Sequence, residues 1–336
     1  MASTPLPSVP TDDAAVFDEQ YDVPCERDFS RFRLQLCARR CLELQQQGFV
    51  CIDEFLGRGW ALALLQEMKW LSKKGLLLPN ETRFGHPDGR TLQFSKPNIW
   101  EADLHDSSLR NRVPELRALF FQEALNEALL AGVPGLRLTG GTQGRTLKLQ
   151  LNAGNGGCFP AHYDNPGPPN KRCLTCLLYL NPDWEPGDGG EMCLLPFLGK
   201  PTPIAPKLDR MVLFYSDQVL HRVLPCHKER FVLTVWLDGP DVNRPEDSRL
   251  SITRSQLEDW LGFCEQLKRS PVQRVLSRGV YEERYEESLV ECMEGAEGFE
   301  QMMSAHRAQV ASLKANKGLY GIIQRLRQSA ALNELS

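Results

Sequence analysis

The sequence lacks three features that would place the chain in a membrane, outside the cell or on a nucleic acid. It has no run of about eighteen apolar residues, which predicts that no helix spans a bilayer. Residues 1–13 contain neither a positive region nor an apolar stretch, so we expect no secretory signal. The net charge is −4, which gives no strong attraction for nucleic acid or acidic membranes. These absences predict a cytoplasmic or nuclear protein with neither kind of partner.

The chain has 11 cysteines, and their number raises the question of disulfides or metal sites. Without an export signal, we expect free thiols in a reducing compartment. Cys173 and Cys176 have the CxxC spacing of zinc and redox sites, but the surrounding segment is typical of a strand. Residues three apart on a strand face opposite sides, whereas chelation requires a turn. The spacing therefore does not predict a zinc site.

Helical periodicity dominates the first part of the chain. Apolar residues at three- and four-residue spacing predict one amphipathic helix over 29–44, ended by Gly48, and then a buried strand over 49–52. A second helix is predicted over 64–71, and a third over 114–132 with a proline at its first position. These helices are expected to support the rest of the fold.

Short strands replace helices between residues 146 and 239. The segment 146–151 alternates apolar and polar residues, and 174–180 is almost continuously apolar. Turns rich in Gly, Pro and Asp separate these strands. Several short strands at such spacing predict an antiparallel sandwich or barrel, of which the jelly roll is one form. Together with the helices, this predicts an α+β protein.

Helical periodicity returns at the end of the chain. Thr253 and Gln256 form a plausible capping box, Pro271 interrupts the helices, and 322–330 is a final amphipathic stretch. The earlier segment 80–100, rich in Gly, Pro and Arg, indicates either a substrate-binding hairpin or a solvated loop. The predicted regions are a disordered tail at 1–24, helices, strand and substrate loop at 25–145, a strand-rich core at 146–239, a linker at 240–252 and a helical extension at 253–336.

Four side chains form the strongest candidate for a functional site. His162 and Asp164 are separated by one residue, and His221 and Arg230 follow later in the chain. Two imidazoles and one carboxylate can occupy one face of an octahedral metal and leave the other face open, as non-haem Fe(II) oxygenases require. The guanidinium of Arg230 could grip a carboxylate end-on. The pattern therefore predicts a metal site beside an anion site.

A His-x-Asp pair alone is a weak signal, because chance gives one in roughly a third of chains of this composition. Its context strengthens the prediction, since His162 and Asp164 close a predicted strand and alternate residues share a face. The competing interpretation is a pair of surface histidines with a turn-forming aspartate. The histidines predicted to be solvated instead are His86, His105, His227 and His306.

A series of motifs runs in order through the strand-rich region: His162-Tyr-Asp-Asn-Pro166, Arg172-Cys-Leu-Thr-Cys176, Tyr179-Leu-Asn181, Gly189-Gly190, Ser216-Asp217, His221 and Arg230-x₃-Thr-Val-Trp236. In these motifs the chain resembles the 2-oxoglutarate- and Fe(II)-dependent dioxygenases. It is most similar to the prolyl 4-hydroxylase group, in particular the intracellular oxygen-sensing enzymes and their protist relatives. The resemblance implies a double-stranded β-helix (jelly roll) core with N-terminal supporting helices. The C-terminal helical extension lies outside the part of the chain that resembles this family.

The resemblance also implies cofactors and their ligands. The implied Fe(II) ligands are His162, Asp164 and His221. Arg230 would pair with the far carboxylate of 2-oxoglutarate, Tyr179 would donate a hydrogen bond to it, and Thr234 would lie along the same pocket. O₂ is the second cosubstrate, and L-ascorbate would keep the iron ferrous. The implied reaction couples decarboxylation of 2-oxoglutarate to hydroxylation of a C–H bond, with release of succinate and CO₂.

The substrate implied by the resemblance is a protein or peptide, with a peptidyl proline as the expected target. Arg172 and Trp236 would lie nearest to it. The chain departs from the oxygen sensors just before the metal motif, where 152–154 reads Asn-Ala-Gly instead of Tyr-Pro-Gly. The loop at 80–100 has no clear counterpart either. The metal and cosubstrate sites are thus better defined than the substrate surface.

Two other hypotheses compete with this one. An oxygenase acting on alkylated nucleic-acid bases would carry a second arginine six residues after the first, where this chain has Trp236. A non-catalytic interaction scaffold would not need the three metal ligands and Arg230 together. The helical extension is expected to be a buttress packed on the core, with a partner-binding or dimer-forming face as the alternative.

Overall fold

A computed structural model describes residues 16–18, 20–85, 91–241 and 252–335. The first elements are α1 (Ser30–Gln35), α2 (Ala38–Gln47), β1 (Phe49–Ile52), α3 (Arg58–Lys73), β2 (Leu78–Gly85), β3 (Thr91–Asp103), α4 (Ser107–Arg110), α5 (Pro114–Phe121) and α6 (Ala124–Gly132). The central strands are β4 (Arg145–Asn152), β5 (Gly157–His162), β6 (Arg172–Tyr179), β7 (Met192–Pro196), β8 (Thr202–Ile204), β9 (Arg210–Tyr215), β10 (Val219–Cys226) and β11 (Arg230–Asp238). The last elements are α7 (Arg254–Glu258), α8 (Trp260–Lys268), α9 (Gln273–Val280), α10 (Glu282–Met293), α11 (Phe299–Ala315) and α12 (Lys317–Leu335).

The strands form two antiparallel sheets that pack against each other. The larger sheet has the order β1-β9-β6-β11-β4-β3-β2, and the smaller has the order β5-β10-β7-β8. One apolar cluster contains residues of both sheets, including Tyr179 and Val232 from the larger and Met192 and Val219 from the smaller. The predicted jelly-roll core is confirmed.

Alternation along the strands separates the two faces of the larger sheet. On β11, Phe231, Leu233, Val235 and Leu237 join the main apolar cluster, which they share with the N-terminal helices. The intervening residues, Arg230, Val232, Thr234 and Trp236, line the cavity between the sheets. Successive side chains of a strand point to opposite faces. One face of β11 therefore packs in the apolar core, and the other face supplies side chains to the cavity.

The N-terminal helices are more broken than the periodicity predicts. The expected single helix over 29–44 is interrupted at Cys37, which has extended backbone angles and precedes α2. The expected helix over 114–132 is interrupted at Gln122, whose side chain accepts a hydrogen bond from the Leu125 N–H at 2.9 Å. Gly48 ends α2 in the left-handed conformation, as predicted. The apolar spacing continues across both breaks, so the sequence pattern alone could not predict where the helices are interrupted.

The C-terminal helices pack on the smaller sheet as a buttress. Their apolar residues, among them Phe263, Leu276 and Leu326, form one cluster with Ala161 and Leu220 of the sheet. Buried hydrogen bonds add to the contact. The Ser288 hydroxyl accepts from the Ala161 N–H at 3.0 Å, and the Tyr281 hydroxyl accepts from the Leu198 N–H at 2.7 Å. The predicted capping box at Thr253 is present.

Two expectations from the sequence need correction. The disordered tail does not extend to residue 24, because Phe17 is buried and the Tyr21 hydroxyl donates to Glu67 at 3.1 Å. Not every cysteine is a free thiol, because Cys158 and Cys292 form a disulfide. Packing of α10 on β5 brings this pair together across 134 residues of sequence, which no local spacing could indicate. The other nine cysteines among the described residues are free.

The segment between α3 and α4 is a hairpin at one edge of the larger sheet. β2 and β3 pair antiparallel, so the hairpin predicted within 80–100 is present, whereas its contact with a substrate stays a prediction and 86–90 lies outside the described residues. Most of the predicted linker, 242–251, and of the tail, 1–15, also lies outside them. Within the described ranges, every helix is too short or too polar to cross a bilayer.

A buried leucine of the last helix tests the buttress. Leu326 is fully buried in the shared cluster, so Leu326→Ala should lower the free energy of unfolding by about 2–5 kcal/mol. Leu332→Ala, at a position 68% exposed on the same helix, should change it by less than about 0.5 kcal/mol. Both can be measured by urea unfolding. If the C-terminal helices unfolded at a lower urea concentration than the two sheets, they would not act as a buttress that unfolds together with the sheets.

Candidate metal centre

The three predicted ligands converge at one end of the smaller sheet. His162 ends β5 and His221 lies in β10, and the two are directly paired across the sheet, with ring centroids 4.3 Å apart. Asp164 follows two residues after His162, and its Oδ1 lies 3.5 Å from His162 Nε2 and 3.8 Å from His221 Nε2. One ligand atom from each residue falls within 4.8 Å of the others. The predicted convergence is therefore present, although Asp164 lies beyond the strand.

Hydrogen bonds fix which imidazole nitrogen faces the centre. His162 Nδ1 lies 2.8 Å from the Pro160 carbonyl oxygen, and His221 Nδ1 lies 3.2 Å from the Val219 carbonyl oxygen. A carbonyl only accepts, so each Nδ1 carries a proton and each Nε2 lone pair is free to bind a metal. Burial lowers the pKa of His221 to about 4, with His162 contributing in the same direction. His221 is thus neutral at physiological pH, as a ligand must be.

The carboxylate of Asp164 is oriented by two donors. Its Oδ2 accepts from the Thr175 hydroxyl at 2.6 Å and from the Trp236 indole N–H at 3.0 Å. Oδ1 is left facing the two imidazoles. Burial alone would raise the pKa of Asp164, but His221, His162 and the Thr175 hydroxyl hold it well below its usual range. The residue is therefore an anion that can bind a cation through one oxygen.

Three buried polar groups on β6 and β11 lack partners. Tyr179, Arg230 and Thr234 are each no more than 3% exposed. The Tyr179 hydroxyl, Arg230 Nε and the Thr234 hydroxyl have no hydrogen-bond partner within the part of the chain that the structure describes. The Arg230 guanidinium carbon lies 5.0 Å from the centre of the Tyr179 ring. A buried guanidinium with unpaired neighbours fits an anionic ligand with several acceptor oxygens.

Gly190 makes room for this guanidinium. Its φ of +74° is in the left-handed region, and a Cβ placed there would lie 2.8 Å from Arg230 Cδ. Any other residue would push Arg230 from its place. A Cβ at Gly189 would instead clash with the Pro225 carbonyl oxygen, so the two glycines of the sequence motif are needed for different contacts.

A cavity of about 580 Å³ joins the metal triad to the anion site. Its lining includes the triad, Arg230, Thr234, Arg172 and Trp236. The Arg172 guanidinium carbon lies 3.7 Å from the centre of the Trp236 ring, and Arg172 also donates to the Asp164 backbone carbonyl at 3.2 Å. The two residues assigned to the substrate side thus lie beside the metal carboxylate.

Sequence reasoning missed two residues of the centre. Thr175 and Ser216 are fully buried, and their hydroxyl oxygens lie 2.9 Å apart behind Asp164. The signal for Thr175 was a hydroxyl within the apolar run of β6, between cysteines and leucines, where a buried polar group needs a partner. One histidine prediction is wrong, because His306 is 1% exposed and stacks on Tyr285.

The other histidines bear out their predictions where the structure describes them. His105 and His227 are exposed. His86 lies outside the described residues. The triad is therefore assembled from the two histidines that the sequence singled out.

Comparison with known proteins agrees with this geometry. Residues 148–238 match the family described as the 2OG-Fe(II) oxygenase superfamily. The mouse protein named prolyl hydroxylase EGLN3 is 38% identical over 199 residues, which are 57% of this chain and 79% of that protein. The chain spans between 21% and 57% of the length of the first four curated relatives that it matches.

Two solved structures extend the comparison. A prolyl 4-hydroxylase from Phytophthora capsici has a TM-score of 0.83 and 51% identity, with 94% of this chain and 99% of that chain covered. A Trichoplax adhaerens prolyl hydroxylase, in complex with a hypoxia inducible factor peptide, has a TM-score of 0.51 and 25% identity, with 62% and 91% covered. The similarity to the Phytophthora protein thus includes the C-terminal helices.

The hydroxyl of Thr175 provides a test of the metal centre. Thr175→Val keeps the side-chain volume but removes a hydrogen bond to Asp164, so the affinity for Fe(II) or Mn(II) should fall by roughly tenfold to a hundredfold. Isothermal titration of the metal-free protein measures this. Thr202→Val, whose hydroxyl bonds only the nearby Lys200 carbonyl, is the matched control. Equal metal affinity of the two variants would contradict the role of Thr175.

Proposed function

The chain belongs to the 2-oxoglutarate- and Fe(II)-dependent oxygenases of the prolyl hydroxylase group, and from that membership we propose that it hydroxylates a proline within a protein substrate. The reaction would consume 2-oxoglutarate and O₂ and release succinate and CO₂. The observation that carries the proposal is the cavity shared by the metal triad and Arg230, whose Nε has no hydrogen-bond partner among the described residues.

The triad prepares one face of a metal site. His162 and His221 present their Nε2 atoms, and Asp164 presents Oδ1, while backbone carbonyls and Thr175 hold the three side chains in place. Fe(II) bound there supplies, with 2-oxoglutarate and O₂, the oxidising chemistry that the side chains themselves lack. Three protein ligands leave positions open for these cosubstrates.

The anion site would orient 2-oxoglutarate by its far carboxylate. Arg230 can form two parallel hydrogen bonds to a carboxylate, and the Tyr179 and Thr234 hydroxyls add donors beside it. Val232 and Leu177 give the same cavity an apolar wall. With its far carboxylate held by Arg230, 2-oxoglutarate would direct its keto-acid end toward the triad.

A peptide substrate is supported by the relatives and by the open side of the cavity. The Trichoplax enzyme is solved with a peptide bound, and the cavity here extends from the triad to the β2–β3 hairpin and the C-terminal helices. We propose that Arg172 and Trp236, stacked beside Asp164, contact the target residue. Trp236 replaces the second arginine of the nucleic-acid oxygenases, and its indole is committed to Asp164.

A non-catalytic scaffold is less consistent with the buried groups. Each buried donor without a partner lowers stability by about 1–3 kcal/mol, and among the described residues Arg230 Nε and the Thr234 hydroxyl are such donors on residues that line the cavity. A ligand that binds them recovers that free energy, whereas a scaffold would leave it lost. The polar cavity therefore favours an enzyme.

Three parts of the proposal rest on the family. We propose that L-ascorbate keeps the iron ferrous and that the protein acts in the cytoplasm or nucleus. We also propose that neither nucleic acid nor a membrane is its partner, in line with the net charge of −4. A dimer contact through the C-terminal helices would have to use their outer face, because the inner face is covered by the sheet.

Loss of one metal ligand tests the reaction. His162→Ala should abolish both succinate release and hydroxyproline formation in a protein substrate, because the metal loses one of its three ligands. Mass spectrometry of substrate and succinate measures both. His227→Ala, at an exposed position outside the cavity, should behave like the unchanged protein. Turnover in His162→Ala would contradict the metal assignment.

Loss of the guanidinium tests the cosubstrate site. Arg230→Gln should raise the KM for 2-oxoglutarate by roughly tenfold to a hundredfold, since a charge-assisted hydrogen bond contributes about 1.5–3 kcal/mol. Arg39→Gln removes an exposed arginine on α2 and should leave KM unchanged. Measured succinate release over a range of 2-oxoglutarate concentrations gives both values. An unchanged KM in Arg230→Gln would place the anion site elsewhere.

A further inference from the structure

The cavity wall contains two cations from elements outside the jelly-roll strands that hold the metal. Lys96 belongs to β3 of the hairpin, and Arg278 belongs to α9 of the C-terminal helices. Both are half-buried, and both line the cavity that contains the triad. Neither residue has a role in holding the metal or the cosubstrate.

Lys96 contacts an amide and an aromatic ring. Its ammonium donates to Asn80 Oδ1 at 2.7 Å and lies 4.8 Å from the centre of the Phe159 ring. No carboxylate of the described residues forms an ion pair with it. Burial lowers its pKa to about 8, against the opposing effect of Glu101. The Phe159 ring centre is 6.4 Å from that of His162, so this ammonium lies close to the metal site.

Arg278 is also without a carboxylate. Its guanidinium carbon lies 4.5 Å from the centre of the Tyr285 ring, and its NH1 donates to His306 Nδ1 at 3.1 Å. The nearby acids of α10 are already paired with other cations. Glu282 pairs with Lys314 at 2.9 Å and with Arg327 at 2.5 Å, and Glu286 pairs with Arg307 at 3.0 Å. Among the described residues, no carboxylate forms an ion pair with Arg278, and Glu282 and Glu286 are occupied by other cations.

The remaining cations of the cavity are accounted for. Lys148 pairs with Glu101 at 2.6 Å, and Arg172 is stacked on Trp236. Arg230 belongs to the cosubstrate site. Among the described residues of the cavity wall, Lys96 and Arg278 therefore have only neutral partners, and neither lies beside the metal carboxylate as Arg172 does. A half-buried charge is partly desolvated, and an opposite charge on a ligand would restore the lost stabilisation.

We propose that Lys96 and Arg278 bind acidic side chains that flank the target residue of the substrate, so that the enzyme selects an acidic peptide. The inference rests on the proposed hydroxylation of a peptide. A polypeptide can place carboxylates against the hairpin and the helices while its target residue lies at the triad, because all three line one cavity. The hairpin and helices thus add charge selectivity to a core that supplies the chemistry.

The test uses proline-containing peptides in matched pairs. One member carries Asp and Glu on both sides of the proline, and its twin carries Asn and Gln at the same positions. Fluorescence anisotropy measures binding to the full chain loaded with Fe(II) and 2-oxoglutarate without O₂, so that no turnover occurs. The acidic member should bind about five- to tenfold more tightly for each cation engaged, and the difference should shrink at high salt.

Variants connect the preference to the two cations. Lys96→Gln and Arg278→Gln should each remove part of the preference, and the double variant should remove it. Lys96→Arg and Arg278→Lys keep the charge and should retain it. Exposed Lys69 on α3 and Arg254 on α7, changed to Gln, are the matched controls. The double variant Lys96→Glu and Arg278→Glu should reverse the preference, so that a peptide with lysines on both sides of the proline binds more tightly than the acidic one.

The outcomes separate this inference from the proposed function. Equal binding of the acidic and amide peptides, or a preference that survives in the double Gln variant, would overturn the role of Lys96 and Arg278. Hydroxylation is then scored separately by mass spectrometry after O₂ is admitted. Acid-selective binding without a hydroxylated proline would reject the proposed reaction and support the charge selection.

Discussion

The Asp164 carboxylate is the constraint on which the arrangement of the two sheets depends. It lies in the turn after β5 of the smaller sheet, but its Oδ2 is held by Thr175 and Trp236 of the larger sheet. Its Oδ1 faces His162 and His221 on the smaller sheet. A buried anion needs such partners, since desolvation without them would protonate it. The same contacts that satisfy the charge therefore set the distance between the sheets at the metal end of the cavity.

The cavity is stable because its polar face is separated from the packing that holds the fold together. Odd-numbered residues of β11 join the large apolar cluster with the N-terminal helices, and even-numbered residues face the cavity. The apolar face can offset the unpaired donors on the other face, because burying one large apolar side chain contributes about 1.5–3 kcal/mol. This allows the Tyr179 hydroxyl, Arg230 Nε and the Thr234 hydroxyl to remain without a hydrogen-bond partner among the described residues.

The sequence predicted what local patterns determine. Alternation predicted β4 and an apolar run predicted β6, while residue types with their order predicted the triad, which the structure brings together through the His162–His221 pair. Breaks at Cys37 and Gln122 were not predictable, because helical periodicity continues across them. Burial of His306 and the Cys158–Cys292 pair depend on how α10 and α11 pack, which lies outside any local pattern. The roles of Tyr179, Arg230 and Thr234 came from the family resemblance, with their unpaired atoms as support.

The C-terminal helices connect stability to the shape of the cavity. Ser288 of α10 bonds the backbone of Ala161, the residue before His162, and Leu289 of the same helix lines the cavity. One helix thus supports the metal strand on one side and borders the substrate space on another. Since interiors are close-packed, a shift of α10 could not change the cavity without moving β5. The extension therefore shapes the cavity, even though the residues proposed to bind the metal and the cosubstrate all come from the jelly roll.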